Sequence, residues 1–272
     1  MNKNIFPVEK MCIVLEISRN GYYNWTKNRQ RNKKKRMVLI LGLIIKVYNR
    51  SGQTYGSPRI TQDLQAMGYS VSEPYIAKIM KENGIRSILK KKFVVTTDSE
   101  HDHPVSDNIL DRDFNAEYLG QKWVSDITYI KVKNNWNYLT TIIDLADRKV
   151  IGWHISNNMT TRDTIIPTWF KAISNRKIHP KGLIFHSDRG VQYASDEFRD
   201  VIKDNKLITQ SMSRKGNCWD NAVAESFFKT AKYEKFNRCT FTSTDQLIRA
   251  TFKYIEGWDN THRIHSSIGN MS

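Results

Sequence analysis

Three carboxylates, Asp126, Asp188 and Glu225, lie among apolar residues, where a packed core rarely carries an acid. The first is inside a strand-like run, the second ends another such run, and the third lies in the apolar opening of a helix. Burying a carboxylate costs free energy unless it is paired or coordinates a cation. One such acid is usually a paired core residue, but three in one domain favour a shared metal site. Hard carboxylate oxygens suit Mg²⁺ or Mn²⁺.

Such a site has the parts needed for phosphoryl transfer. Two cations about 3.5–4 Å apart can activate an attacking oxygen and stabilise a leaving oxygen. Holding both requires carboxylates that converge from different elements, and a strand middle, a strand end and a helix provide that geometry. The sequence therefore predicts that Asp126, Asp188 and Glu225 are catalytic residues and ligands of two Mg²⁺ or Mn²⁺ ions.

Other polar residues near these acids have structural explanations. Asp144 also ends an apolar strand, but Arg148 follows four residues later, so an ion pair is at least as well supported as a site role. Asp220 precedes a helix and is predicted to be its N-cap. His186 faces the same side of its strand as Asp188, and we expect it to support the site rather than to bind metal.

Basic side chains near the third acid are candidates for binding DNA phosphates. Two of them follow Glu225 by four and seven residues, on one helical stripe, and two lie in the polar loop before that helix. We predict phosphate contacts for Lys229, Lys232, Arg214 and Lys215. Trp219, in the same loop, is predicted either to stack on a base or to anchor the loop, and the residues alone leave both open.

The charge of the chain indicates a polyanionic partner. Its 272 residues hold 43 Lys and Arg against 27 Asp and Glu, a net charge of +16. This excess favours nucleic acid first and an anionic membrane second. Residues 1–95 carry 19 basic and 5 acidic residues, residues 96–116 carry 1 and 6, and residues 117–272 carry 23 and 16. We therefore predict two basic modules joined by an acidic linker.

The first module is predicted to be helical, with a helix-turn-helix. Ser57 is interpreted as an N-cap with Pro58 at the first helical position, and a second helix start follows near residues 72–74. The alternative is a small bundle without DNA contacts, but the local charge favours nucleic-acid binding. Arg59, at the first of these starts, is a further predicted DNA contact.

From residue 123 onward the pattern changes to β-branched and aromatic runs followed by alternating elements. This order predicts an α/β fold, a mixed sheet covered by helices. The predicted strands are 123–132, 138–144, 150–155, 183–187 and 207–211, and the predicted helices are 161–175, 195–205, 222–236 and 243–257.

Several protein classes are disfavoured. The three scattered cysteines, Cys12, Cys218 and Cys239, form no Cys-x-x-Cys pair, which argues against structural zinc. Their small, odd number suits a reducing cytosol. His101 and His103 form a weak metal motif among loop residues. The longest apolar run, residues 37–45, is too short to span a bilayer, so no membrane role is expected.

The motifs taken together resemble those of bacterial insertion-sequence transposases of the IS-three family. The resemblance is carried by residues 123–129, by 186–193 and most specifically by 213–228, which contains Glu225. Upstream, residues 18–23 and 54–60 are similar to the N-terminal region of the family, which carries a helix-turn-helix. The resemblance covers nearly the whole chain and identifies it with the second-reading-frame product, which has a retroviral-integrase-like core.

This resemblance implies a domain plan. A basic helix-turn-helix region occupies 1–95, an acidic linker 96–116, a ribonuclease-H-like catalytic core 117–242, and a C-terminal helix and tail 243–272. Asp126, Asp188 and Glu225 resemble the first, second and third catalytic acids of the family. Lys232 resembles the basic residue that follows the third acid.

The resemblance also implies an activity, which is metal-dependent DNA cleavage and strand transfer at element ends. The implied partners are DNA, the first-frame product of the same element, and further copies of the chain on DNA. The alternatives are a related nuclease that does not join strands and a DNA-binding derivative without catalysis. Two departures are evident: 36 residues separate Asp188 from Glu225, one more than is usual, and the chain ends slightly early.

Overall fold

The computed structural model describes residues 6–88 and 105–265. The chain divides into two compact units, Met1–Leu89 and Lys90–Ser272, here called the first and second units. The weak metal motif at His101 and His103 lies outside the described residues. The domain boundaries that we place at 95, 116 and 242 stay predictions.

The first unit is helical, as predicted. Its helices are α1 (Val8–Val14), α2 (Arg19–Arg50), α3 (Ser57–Ala66) and α4 (Glu73–Glu82). Buried aliphatic side chains spaced three or four residues apart hold the helices together, because that spacing lines one helical face. They include Ile40, Ile44 and Val47 of α2, Ile60 and Leu64 of α3, and Ile76 and Ile79 of α4. In residues 6–88 and 105–265, no helix is both long enough and apolar enough to cross a membrane.

The start of α3 corrects one prediction. Gly56 occupies the N-cap position, and Ser57 is already helical. The Ser57 hydroxyl lies 3.4 Å from Glu73 Oε1, at the start of α4, and makes no capping bond. Pro58 remains in the first turn, where a missing N–H costs nothing because that group has no helical acceptor.

The second unit is built on a five-stranded mixed sheet, as predicted. The strands are β1 (Lys122–Val132), β2 (Asn135–Asp144), β3 (Val150–Ser156), β4 (Leu183–Ser187) and β5 (Ile208–Met212). Their order is β3-β2-β1-β4-β5. The first three form an antiparallel meander, and β4 and β5 join it in parallel. The meander places β1 in the middle of the sheet.

Helices cover both faces of this sheet. They are α5 (Ile165–Asn175), α6 (Val191–Ala194), α7 (Asp196–Lys203), α8 (Ala222–Glu234) and α9 (Thr244–Tyr254). Successive residues of a strand point to opposite faces, so β1 supplies two separate cores. Val124 packs in the core formed with α8 and α9, and Trp123 packs in the core formed with α5, α6 and α7. This α/β sandwich is a ribonuclease-H-like fold.

Helix α5 lies very close to the sheet at Gly152. A Cβ atom there would be 2.6 Å from the carbonyl oxygen of Thr168, so the contact requires glycine. Two other differences from the predicted elements are a shifted helix start and an additional short helix. Helix α5 begins at Ile165, four residues later than predicted, and the short α6 was not predicted.

Part of the predicted acidic linker packs against the sheet within the second unit. Leu110 is buried in the core that contains α8, and the backbone N–H groups of Ile109 and Leu110 donate to Ser211 Oγ on β5. The carbonyl of Asp107 accepts from the N–H of Met212. Since β5 is the last strand of the sheet, this segment covers an edge that would otherwise expose unpaired backbone groups.

Candidate active site

Two of the predicted acids are brought to the same level by the parallel pairing of β1 with β4. Val124 lies opposite His186 in that register. Asp126 lies two residues after Val124, and Asp188 lies two residues after His186. Both acids therefore lie just past the last paired residues of the two strands. Ligand sites in open α/β sheets commonly lie beyond the carboxyl ends of parallel strands. Both carboxylates are half-buried.

Each of these acids is oriented by a local backbone bond. Asp126 Oδ1 accepts from the N–H of Ile127 at 2.9 Å, and Asp188 Oδ1 accepts from the N–H of Gly190 at 3.0 Å. A Cβ at position 190 would lie 3.1 Å from that oxygen. Glycine therefore allows the chain to turn tightly around the Asp188 carboxylate.

The third predicted acid comes from the first turn of α8. Ala224, Phe227 and Phe228 fill the core on one side of this helix, so Glu225 faces outward and is exposed. A carboxylate in a first helical turn is favoured by the unsatisfied N–H groups there. The helix thus presents Glu225 without burying it.

The electrostatics of the three acids show that the fold brings them together. Burial raises the pKa of Asp126 well above its ordinary value, and the negative charges of Asp188 and Glu225 raise it further. Partial desolvation of the carboxylate by the surrounding protein, and then the charge of Asp188, also raise the pKa of Glu225, although its side chain as a whole is exposed. Like charges at close range disfavour the ionised form, so each of these acids opposes the ionisation of its neighbours.

These carboxylates fit a divalent cation chemically. Among the described residues, neither Asp126 nor Glu225 is within salt-bridge distance of a basic side chain, and both offer the hard oxygen atoms that Mg²⁺ prefers. No three His, Cys, Asp or Glu side chains in residues 6–88 and 105–265 are already gathered tightly enough to hold an ion.

Lys232 lies beside this acidic cluster. Its Nζ is 4.6 Å from the centre of the Tyr129 ring, a cation–π contact. Burial lowers its pKa, and the charge of Asp126 opposes that shift. Lys232 therefore lies near Asp126, and Lys229 is exposed one turn earlier. The DNA contacts of both residues stay predictions.

The loop before α8 departs from the prediction at Asp220. This residue is fully buried and is not the N-cap, because Asn221 holds that position. Its carboxylate accepts from the backbone N, Nε and Nη2 of Arg214 at 2.8–2.9 Å, and from Arg112 Nε at 2.8 Å. These bonds, chiefly the side-chain bond from Arg214, hold the pKa of Asp220 well below its ordinary value. A DNA contact by Arg214 stays a prediction. Its guanidinium already donates hydrogen bonds to Asp220.

His186 occupies the supporting position that we predicted. Its ring is fully buried, with Nδ1 2.9 Å from Ser211 Oγ and Nε2 3.2 Å from Ser213 Oγ. Burial lowers its pKa to about 4, so the ring is neutral at pH 7. It therefore links β4 to β5 and to the start of the loop before α8.

Two supporting residues were not found from the sequence. Tyr193 Oη lies 2.8 Å from Ser125 Oγ, and Asn221 Nδ2 donates to the carbonyl of Ser125 at 2.9 Å. Both contacts fix the residue just before Asp126. Their sequence separations of 68 and 96 residues leave no local signal that could have revealed them.

The predicted ion pair at Asp144 exists with a different partner. Arg176 Nη1 lies 3.0 Å from Asp144 Oδ2, and Trp123 Nε1 and the N–H of Gly120 donate to the same oxygen. Arg148 instead donates from Nη2 to the carbonyl of Phe114. Asp144 is thus a structural residue, which is one of the two roles that the sequence left open for it.

The remaining predicted contacts are Arg59 and Lys215. Arg59 lies in the first turn of α3, with its guanidinium carbon 5.2 Å from the centre of the Tyr55 ring. Lys215 is exposed in the loop before α8. Nothing in either unit by itself tests their predicted contacts with DNA.

Comparisons with known proteins agree with this geometry. A family model described as "Integrase core domain" matches residues 118–218, and a second model of the same description matches 206–272. A model described as "HTH-like domain" matches residues 36–93, which include α3 and α4.

Similar whole proteins are also known. The transposase InsF for insertion sequence IS3A of Escherichia coli (strain K12) is 37% identical over 269 residues, or 98% of this chain and 92% of that protein. The insertion element IS600 uncharacterized 31 kDa protein of Shigella sonnei is 38% identical over 96% of this chain and 95% of its own. The HTLV-2 integrase catalytic core domain, in complex with magnesium, is 19% identical over 56% of this chain and 93% of its own, with a TM-score of 0.41.

The fold and these matches define a metal-dependent polynucleotidyl transferase of the DDE type. Its partner is DNA, which agrees with the basic composition of the chain and the helix-turn-helix match. With 37% identity over 98% of its length, the chain belongs to the IS3 family of insertion-sequence transposases. Its function is DNA transposition.

Proposed function

We propose that Asp126, Asp188 and Glu225 bind two Mg²⁺ or Mn²⁺ ions, with which the chain cuts and joins DNA at the ends of its insertion sequence. The observation that carries this proposal is the crowding of negative charge at Asp126, which the charge of Lys232 offsets only in part. The pKa of Asp126 is raised by burial and by two neighbouring carboxylates. A fold retains such a destabilising arrangement where function requires it, because pKa shifts of this kind concentrate at functional sites.

Each residue has a distinct part in this proposal. The cations supply the charge that activates the attacking oxygen and stabilises the leaving oxygen during phosphoryl transfer. Asp126 and Asp188 form the fixed side of the site, because strand backbone and local N–H bonds orient them. Glu225 is exposed on α8 and closes the site when the ions and DNA are present.

Basic side chains would hold the DNA. We propose that Lys232, Lys229 and Lys215 contact phosphates near the site, with Arg214 sharing its charge between DNA and Asp220. In the first unit, Arg59 would contact phosphates at the helix-turn-helix. Each neutralised phosphate releases counterions, so binding should weaken steeply with salt.

Assembly on the element is also part of the proposal. We infer that several copies of the chain act together on two element ends, and that the first-frame product of the same element helps to recognise those ends. Cutting and joining at two ends requires two active sites held at a defined distance. This inference rests on the family to which the chain belongs rather than on a described contact.

The test is a strand assay with duplexes that carry the end sequences of the element, in Mg²⁺, Mn²⁺ or EDTA. Cleaved and joined strands are scored separately. We expect both products with either metal and neither in EDTA. Cleaved strands without joined ones would indicate a nuclease and would contradict the proposal.

The same assay tests the three acids one at a time. Asp126→Asn, Asp188→Asn and Glu225→Gln should each lower the cleavage rate on the order of 10³-fold or more. Each removes a proposed metal ligand, and the metal ions stabilise the transition state by several kcal/mol. DNA binding should stay within about twofold, since these residues make few phosphate contacts. Asp196→Asn, on an exposed acid of α7, is the matched control. Near-normal metal-dependent cleavage by Asp188→Asn would refute the assignment.

A further inference from the structure

Trp219 lies in the loop before α8 with its indole in solvent. The side chain is 69% exposed, whereas Trp123 and Trp169 of the sheet sandwich are 0% and 2% exposed. Within the part of the chain that the structure describes, its ring has no hydrogen-bond, aromatic or cation–π partner. A tryptophan that anchored the loop would be buried, so the anchoring role is excluded.

The backbone that carries this indole is fixed on the side that follows it. Asp220 is fully buried and held by bonds from Arg214 and Arg112. Asn221 is buried and donates through Nδ2 to the carbonyl of Ser125. Residues 218–221 form a 3₁₀ turn that leads directly into α8. Trp219 is therefore an exposed aromatic ring on a short, well-braced turn.

The braced turn joins two parts of the acidic site. Ser125, to which Asn221 is bonded, immediately precedes Asp126 on β1. Glu225 follows in the first turn of α8. The turn that carries the ring therefore lies beside the acidic site, on the approach that a DNA strand would use to bring its phosphate to the three carboxylates.

We propose that Trp219 stacks on an unpaired DNA base next to the phosphate that is cut. This inference rests on the proposed function of the three acids. Every base has an aromatic face, so stacking would hold the strand without reading its sequence. The base must leave its own stack to expose that face, which is easiest at a frayed or distorted element end. Because the turn is already braced, little conformational entropy is lost when the base binds.

The experiment measures stacking apart from cutting. The full-length chain is mixed in EDTA with end duplexes that carry 2-aminopurine, a fluorescent base, at one position at a time around the cleavage site. We expect a position-specific fluorescence change with the wild type and with Trp219→Phe, which keeps an aromatic face. Trp219→Ala should lose that change. Phe252→Ala, on an aromatic side chain of α9 that is 57% exposed, should behave as the wild type.

Cutting is then measured in Mg²⁺ with the same variants. Trp219→Ala should cut about 5- to 100-fold more slowly at limiting DNA, as expected for loss of one base–aromatic stack. Trp219→Phe should recover most of that loss. Recovery by phenylalanine is not expected of a residue that merely shapes the loop.

The outcomes separate this inference from the proposed function. If the wild type cuts and Trp219→Ala retains both the fluorescence change and the rate, the stacking role is refuted while the roles of the acids stand. An equal loss in Trp219→Ala and Phe252→Ala also refutes it. The stacking role is also refuted if Trp219→Ala keeps the wild-type fluorescence change but self-associates differently from the wild type in the absence of DNA. The ring would then contact protein rather than a base. If the wild type does not cut in any metal, the proposed function fails, and the fluorescence assay in EDTA still decides on stacking.

Discussion

The second unit holds carboxylates in two contrasting regions. One group of buried acids is bound by arginine: Asp220 by Arg214 and Arg112, Asp144 by Arg176, and Glu234 by Arg263. In the acidic site, Asp126 and Glu225 have no salt bridge among the described residues. The charges of Asp188 and Glu225 raise the pKa of Asp126, and the charge of Asp188 raises the pKa of Glu225. The fold thus pairs Asp220, Asp144 and Glu234 with arginines, whereas it places Asp126 and Glu225 close to other acids.

Pairing with arginine distinguishes the structural acids from the proposed metal ligands better than burial alone does. An acid paired within the fold stabilises it, and removing the acid leaves a basic group unpaired. An acid held near other acids destabilises the fold until a cation binds. Asp220 and Asp126 should therefore respond in opposite directions to substitution and to pH, and metal should stabilise the fold only through the acidic site.

The largest stability effect should come from the arginine-bound region. Asp220→Ala removes a buried carboxylate that accepts bonds from two arginines, so the free energy of unfolding should fall by about 2–3 kcal/mol. Urea denaturation of the full-length chain at pH 7.5 would measure the loss. Asp196→Ala is the exposed control, and a loss at Asp220 no larger than at Asp196 would remove the basis of the comparison.

A substitution in the acidic site should instead raise the free energy of unfolding. Asp126→Asn should raise the free energy of unfolding at pH 7.5, on the order of 1–2 kcal/mol, because an amide carries no charge to bury. The pKa of Asp126 is raised above 3.8 in the folded state, so its ionisation costs stability as pH rises from that value. The advantage of the variant should therefore grow as pH increases above about 4 and vanish below it.

Asp220 provides the opposite pH profile in the same experiment. Its pKa is lowered in the folded state, so its contribution to stability is present above 3.8 and is lost as pH falls below that value. The difference between wild type and Asp220→Ala should accordingly shrink on acidification. Parallel pH profiles for the two variants would contradict the division into two kinds of carboxylate.

Metal should stabilise the acidic site in the absence of DNA. At a Mg²⁺ concentration ten times its dissociation constant, the free energy of unfolding should rise by about 1.4 kcal/mol, because the ion binds the folded state. Thermal denaturation at matched ionic strength would measure the rise. Asp126→Asn should show little of it, whereas Asp196→Asn should respond as the wild type. An equal rise in all three proteins would indicate general salt effects.

The smallest effect should come from Lys232, the cation beside the acidic site. Lys232→Met keeps a long apolar side chain over Tyr129 but removes the charge. The slope of log affinity for DNA against log salt should become less steep by about 0.9, which corresponds to one phosphate contact. Lys232→Arg should keep the slope. Strand joining at limiting DNA should slow with methionine, and an unchanged slope and rate would place the contact elsewhere.

Much of the site could be predicted from the sequence because its signals are local. An acid within an apolar strand run marked Asp126, an acid at a strand end marked Asp188, and helical spacing placed Glu225 and Lys232 on one stripe. The order of strands and helices predicted the mixed sheet in the same way. Each inference depends on neighbours within a few residues, where strand and helix periodicity acts.

What only the tertiary structure decided is which charges meet across long stretches of chain. Asp144 pairs with an arginine 32 residues away rather than with the one four residues away, and Asp220 binds an arginine 108 residues earlier. The exposure of Trp219 and the bond from Asn221 to Ser125 likewise depend on how α8 packs against β1. Periodicity fixes the face on which a side chain lies, but its partner depends on the packing of distant elements, which no local pattern records.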